Sequence, residues 1–347
     1  MTTRYMIVEE LGEGAMGTVY RAVQVDLKRE VALKVLHQDV QSSLNGLHRF
    51  KREVEACAAL NHPNIIRILD CDEMADGCFY YTMDLIRGLD LASLAAREAP
   101  VPADRVVALM AQAADAVAHL HDRSMLHRDI KPRNVMVDDA GRLTLMDFGL
   151  VKLHERTVLT VTGQRVGTPK YMAPELFRGE PDAPARDVYG LGLTFWELLA
   201  GRLAFPERDM QKLVTIILGR GVEPISGVRS DLPAWLVDLV TRCVAIDPRQ
   251  RPTALQVKES CLGRRPVTQA PVAGAPRRST RGAGAAPAAA VVAAPRRPPS
   301  PSGRSTGPGP RSPPGPPRRL PPRQSSGRPD RRTIRPWRPR GPTRTLP

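Results

Sequence analysis

The sequence predicts an α+β chain of two lobes: a small antiparallel sheet with one key helix, then a larger, mainly helical lobe, then a disordered tail. Three observations carry this. Strand-like pieces crowd residues 5–36, helical periodicity takes over after residue 100, and composition breaks sharply at Arg264.

Taken in order, YMIVEEL, TVYRAV and VALKVL are each rich in apolar or β-branched residues and are separated by glycine or charged turns, the pattern of a small antiparallel sheet. LGEGAMGTV at 11–19 puts Gly12, Gly14 and Gly17 in the first turn, where missing side chains let backbone amides approach an anion. An ordinary glycine-rich hairpin reads the same way when taken alone. Lys34 closes VALK on an apolar strand, where an unpaired ammonium is costly to bury, so it needs anionic partners. HRFKREVEACAALNHPNII is helical in pattern, and Glu53 lies three positions after Phe50 and four before Cys57, on its inward face. Glu55 is rotated away from that face. FYYTMDLIRG at 79–88 reads as an apolar strand with a glycine-containing exit, suited to a hinge between lobes.

Val106, Met110, Ala113, Val117 and Leu120 then recur at helical spacing, so one long amphipathic helix delivers the loop HRDIKPRN at 127–134. In that loop Asp129 can accept a hydroxyl proton. Lys131 can face a transferred anionic group, and Asn134 offers an amide oxygen to a divalent cation. Asp147 in MDFGL adds a carboxylate fit for the same cation. His119 and His121 read as structural or solvated, since neither has metal-ligand company, and His127 reads as a packing and hydrogen-bonding residue of the loop, since Asp129 is better suited to be the base. Residues 147–175 form a long segment with threonines at 157, 160, 162 and 168, and so long an irregular stretch inside a domain is usually functional.

Glycine loop, strand lysine, HRD loop, DFG and APE (Ala173, Pro174, Glu175) occur in the order of the protein-kinase signature. Over residues 5–262 the sequence resembles the eukaryotic-like, Hanks-type Ser/Thr protein kinases, and GTPKYMAPE is most similar to their bacterial branch. The resemblance implies a bilobal kinase domain over 5–263, with the N-lobe at about 5–86 and the C-lobe at about 87–263. It implies ATP and Mg²⁺ as cofactors, with Mn²⁺ as an alternative ion. Leu11, Val19 and Ala32 would line the base slot with Met83 at its back, the backbones of Asp84 and Ile86 would meet the adenine edge, and Lys34, paired with Glu53, would hold phosphate. Asp129, Lys131 and Asn134 would be catalytic, and Asn134 and Asp147 would hold the metal.

Arg128 is a cation in need of an anion, which a phosphate on the 147–175 segment would supply. Thr160 and Thr162, then Thr157, are the expected autophosphorylation sites. Thr168 and Lys131 point to serine or threonine substrates. Asp187 in ARDVYGLGLTFWELLAG is expected to hold the catalytic-loop backbone, and Arg251 to pair with Glu175. Protein substrates are expected, and dimerisation through the small lobe is left open. The rival readings are a non-catalytic kinase-like scaffold acting through the tail, a nucleic-acid-binding protein with an appended kinase-like fold, and a small-molecule kinase. The presence of Lys34, Glu53, Asp129, Asn134 and Asp147 argues against the scaffold; the APE and threonine-bearing segments argue against a small-molecule kinase.

From Arg264 onward there are 19 Arg, no Lys, one Asp and 21 Pro, a net charge of +18, while the rest carries 32 basic against 35 acidic residues, or −3. Residues 264–347 cannot bury enough apolar surface to offset their ordering entropy and are expected to be disordered. Such a tail suits a nucleic acid, an acidic protein, a membrane surface or a proline-binding module; a solvated linker, or GC-rich DNA read in a shifted frame, would look alike. Five cysteines without CxxC spacing read as thiols of a reducing compartment. MTTRYMIVEE lacks a signal-peptide core, and Ala286–Ala294 is too short to span a bilayer and contains Pro287. Many bacterial relatives carry a membrane anchor after the kinase domain; here a cytoplasmic location without a membrane span is expected.

Overall fold

The computed structural model describes residues 4–14, 17–37, 51–52, 54–74, 77–147 and 169–267. Glu53, Thr157, Thr160, Thr162, Thr168 and the tail beyond Val267 lie outside the described residues.

The N-terminal lobe is a five-stranded antiparallel sheet in the order β1-β2-β3-β5-β4. Its strands are β1 (Tyr5–Gly14), β2 (Gly17–Gln24), β3 (Arg29–Leu36), β4 (Ile68–Glu73) and β5 (Phe79–Asp84). Strand alternation sorts the side chains onto two faces. Val31 and Leu33 pack with Tyr5, Ala22 and Tyr80 on the outer face, while Ala32, Leu36, Tyr81 and Met83 join the main core. Residues 54–58 are helical, with Val54 and Cys57 buried and Glu55 exposed.

The C-terminal lobe begins with β6 (Gly88–Asp90) and α1 (Leu91–Glu98), whose first turn is capped by the Asp90 carboxylate accepting from Ser93 N. The long helix α2 (Ala103–His121) buries Val106, Met110, Ala113, Val117 and Leu120. A hairpin follows, β7 (Val135–Asp138) and β8 (Leu143–Leu145), pairing with β6 in a three-stranded sheet. Then come α3 (Pro174–Phe177), α4 (Pro184–Ala200), α5 (Met210–Leu218), α6 (Ala234–Cys243) and α7 (Ala254–Gly263). Helix α4 is buried all round from Asp187 to Leu199, the signature of a central helix, and its polar side chains Asp187, Thr194 and Glu197 are hydrogen-bonded. One apolar core runs from Ala32 in the sheet to Val257 in α7. Asn64 joins the lobes: its carbonyl accepts Leu145 N at 2.8 Å and its side-chain amide donates to Leu143 O at 2.7 Å.

Order continues slightly past the compositional break. Val267 is buried and its carbonyl accepts Arg242 Nη1 at 3.1 Å, so Val267, which composition assigns to the tail, packs on the lobe, while Arg264, Arg265 and Pro266 before it are exposed. Composition averages over a window, whereas burial is decided residue by residue. Among the described residues no helix is long and apolar enough to cross a membrane.

Candidate active site

The two lobes meet at a cleft of about 890 Å³. Its roof is made by register. Val19 on β2, Lys34 on β3 and Tyr81 on β5 stand in one row across the sheet, and Ala32 and Met83 form the next row, so all five share a face. Leu11, Gly12, Gly14 and Gly17 close the outer end, and Asp84 and Ile86 line the hinge side. Leu11 is 48% exposed, so it borders the slot as a rim. At Gly17 a Cβ would stand 2.1 Å from Val35 O, which explains why the β1–β2 turn requires glycine there.

The floor is made by the β7–β8 hairpin. Val135 pairs with Leu145, which sets Asn134, just before β7, beside Met146 and Asp147, just after β8. Met146 N donates to Asn134 O at 2.8 Å, and the His127 ring Nε2–H donates to Met146 O at 2.9 Å. His127 Nδ1 accepts Asp129 N at 3.3 Å, so both ring nitrogens are used as in a neutral imidazole. Burial lowers its pKa in the same direction. His127 is thus a brace of the loop.

Asp129 Oδ2 accepts Lys131 Nζ at 2.8 Å and Asn134 Nδ2 at 2.9 Å. The same Asn134 amide nitrogen donates to Asp129 O at 2.8 Å, which leaves its Oδ1 as the atom available to a cation. Asp147, held at φ +49°, accepts Lys34 Nζ on Oδ1 at 2.6 Å and Tyr81 Oη–H on the same oxygen at 3.5 Å. Burial opposes the charge on Lys34, but Tyr81 and Asp147 outweigh it and hold its pKa above the usual lysine value. Lys34, 6% exposed, is therefore an ammonium at neutral pH. Its described anionic partner is Asp147; the expected partner Glu53 lies outside the described residues.

The donors suit a hard divalent ion. Asn134 Oδ1 and Asp147 Oδ2 are oxygens, and Mg²⁺ is usually held by one or two protein oxygens together with phosphates and waters. Among the described residues no cluster of three His, Cys, Asp or Glu side chains forms a metal site without such help.

Behind the loop, Asp187 of α4 accepts His127 N and Arg128 N, each at 2.8 Å, one on each carboxylate oxygen. Burial alone would raise its pKa, but the hydrogen bond with His121 at 3.0 Å and the Arg128 amide hold it below the usual carboxylate value. Arg251 grips Glu175 with two nitrogens at 2.7 and 2.8 Å, both side chains buried. Three features were not foreseen. His121 supports Asp187, Tyr81 joins the Lys34–Asp147 pair, and Arg128 finds its anion in Asp182, Nε to Oδ2 at 3.2 Å, a carboxylate also paired with Arg186. Arg128 is at φ +67°. That turn aims it toward the start of α4, a direction no sequence pattern encodes.

A cleft with a glycine-lined rim, a buried lysine on a carboxylate and an acid–base–amide loop defines the class of two-lobed nucleotide clefts. The family model described as protein kinase domain matches residues 5–261, and the chain belongs to that family. It is 34% identical over 251 residues to the serine/threonine-protein kinase PrkC of Bacillus subtilis, covering 72% of this chain and 38% of PrkC. Against the serine/threonine-protein kinase pkn3 of Myxococcus xanthus it is 32% identical over 286 residues, covering 80% and 52%. The chain thus spans about two fifths to one half of these relatives' lengths. The crystal structure of the Mycobacterium tuberculosis PknI kinase domain superimposes with a TM-score of 0.60 at 29% identity, covering 76% of this chain and 97% of that one.

Proposed function

We propose that this chain is an ATP-dependent serine/threonine protein kinase, moving the γ-phosphoryl group of ATP to Ser or Thr hydroxyls of proteins. The observation that carries it is the single constellation in which Asp129 is held by Lys131 and Asn134 while Lys34 and Asp147 pair across the same cleft.

Catalysis of this kind is mainly placement and charge neutralisation. Leu11, Val19, Ala32 and Met83 enclose the base, and the backbones of Asp84 and Ile86 face its edge. Gly12, Gly14, Gly17 and Lys34 take phosphate oxygens. Asn134 Oδ1 and Asp147 Oδ2 would hold Mg²⁺, with Mn²⁺ as the alternative; the bound ion supplies neutralisation of charge on the phosphates. Asp129 orients the hydroxyl and accepts its proton, and Lys131 neutralises charge that develops on the transferred group. Glu53 remains the proposed second anchor of Lys34.

The reading extends to autophosphorylation at Thr160, Thr162 or Thr157. Exposed Met6, Val8, Val25 and Leu27 support small-lobe pairing of two copies. The strongly cationic composition beyond Val267 suits an acidic protein or nucleic acid. Five free cysteines support a reducing, cytoplasmic setting.

The test is phosphate incorporation from labelled ATP with Mg²⁺, intact chain against Asp129→Asn, followed by mapping of labelled residues. Label at Thr160 or Thr162 that needs Asp129 supports the reading. Absence of label in both forms, and on a generic protein substrate, although ATP binds, overturns it.

A further inference from the structure

Two cavities meet at the catalytic loop. Beside the nucleotide cleft lies a second one of about 380 Å³, walled by α1, α4, Tyr171 and Glu197, and Lys131 and Arg133 line both. A substrate hydroxyl presented to Asp129 would bring its chain neighbours within reach of this shared wall.

The charges there can be sorted one by one. Glu197 is 8% exposed; its Oε2 accepts Tyr171 Oη–H at 2.7 Å and its Oε1 accepts Ala204 N at 3.0 Å. Both oxygens are occupied, and burial raises its pKa against the opposing pull of those donors. A basic side chain finds little free negative charge in the pocket. Lys131 is engaged by Asp129. Arg202 is engaged by Glu223 at 2.6 Å and lies over the Trp196 ring, 5.2 Å from its centroid. Arg133 differs: it is exposed, and among the described residues no acidic side chain pairs with it. It stands between Lys131 and Asn134, held in a 3₁₀ turn that Pro132 begins.

Resting on the kinase reading above, we infer that Arg133 is a specificity-determining residue that selects protein substrates carrying Asp or Glu close to the phosphoacceptor Ser or Thr. The acidic side chain gains an unpaired guanidinium at the shared wall, whereas a lysine or arginine there meets like charge, so attraction and repulsion act in the same direction.

The experiment measures kcat/KM of the full chain with Mg-ATP on three threonine peptides that differ only in acidic, neutral or basic residues within three positions of the threonine. The expected acidic-to-basic ratio is at least about fivefold at low salt, the scale of one exposed ion pair set against one like-charge contact, and it shrinks as salt is added. In Arg133→Glu the ratio inverts, in Arg133→Ala it falls toward one, and Arg133→Lys keeps its sign. Equal rates for acidic and basic peptides overturn the inference, as does a preference that survives in Arg133→Ala and Arg133→Glu. Failure to transfer phosphate to any peptide or to the chain itself is a different result and overturns the kinase reading.

Discussion

Lys34 Nζ stands 2.6 Å from Asp147 Oδ1, joining the sheet of one lobe to the hairpin of the other across 113 positions of chain. The pair holds a buried ammonium and a carboxylate where phosphates and metal would lie. Removing the lysine leaves the carboxylate without its cation and the phosphates without theirs. Lys34→Met is expected to lower kcat/KM for phosphoryl transfer at least about a hundredfold, the scale of losing one preorganised electrostatic contact. Initial rates with labelled ATP check this, and a loss under threefold would refute the assignment.

Asp187 gives both oxygens to backbone amides of the catalytic loop and is itself only 2% exposed. Asp187→Ala leaves two buried N–H groups without acceptors, at a cost of about 2–4 kcal/mol. The urea midpoint should fall accordingly, with phosphoryl transfer lost in proportion to the displaced loop. An unchanged midpoint would show that water or another group replaces the carboxylate.

Arg251 and Glu175 form a buried two-pronged pair, and the guanidinium also lies 4.8 Å from the Tyr189 ring centroid. Breaking such a pair by removing one partner costs about 3–5 kcal/mol because the other charge stays buried. Glu175→Ala is therefore expected to destabilise more than a paired replacement of both residues by apolar ones. Thermal denaturation of the single and double variants decides it; equal losses would argue against a stranded arginine.

Gly190 sits in α4 under the catalytic loop, where a Cβ would stand 2.9 Å from Ile130 O and 3.2 Å from its Cβ. Gly190→Ala should push the loop outward at about 1–3 kcal/mol of strain. The expected signature is a fall in kcat with a nearly constant KM for ATP, since the nucleotide side of the cleft is untouched. A drop in ATP affinity alone would contradict this geometry.

His127 and His62 are both held below the ordinary imidazole value, chiefly by burial. The unfolded chain takes up these protons below about pH 6.5, while the native state resists until lower pH. The stability they contribute is thus fully present above about pH 6.5 and is lost as pH falls through the folded values. Denaturant midpoints should drop between pH 7.5 and 5.5, and His127→Asn should flatten part of that slope. A midpoint that rises on acidification would reverse the sign and sink the argument.

Much of this was legible in the residues. The alternation in VALK and FYYTMD announced strands, and the chemistry of HRDIKPRN and MDFGL announced Asp129, Asn134 and Asp147 before any coordinates. Even the supports were partly readable, since Asp187 and Arg251 stand where the family resemblance puts them, and the structure shows both bonds. Other partners were not legible. Arg128 was expected to meet a phosphate on the 147–175 segment, most of which lies outside the described residues, and its pairing with Asp182, 54 positions further on, was not readable from the sequence. His121 was read as structural or solvated, and its bond to Asp187 depends on how α2 and α4 lie side by side.

The division follows from range. Hydrophobic period, glycine placement and residue type act within a few positions of chain, and so the amino-acid order alone decided the lobes' element types, the glycine rim and the chemical groups of the loop. Register and packing act between segments. The row Val19–Lys34–Tyr81, the hairpin pairing that sets Asn134 beside Asp147, and the exposed guanidinium of Arg133 at the meeting of two cavities came only from the folded chain. Each depends on where distant backbones stop against one another, and close packing, which no single segment specifies, sets that stop.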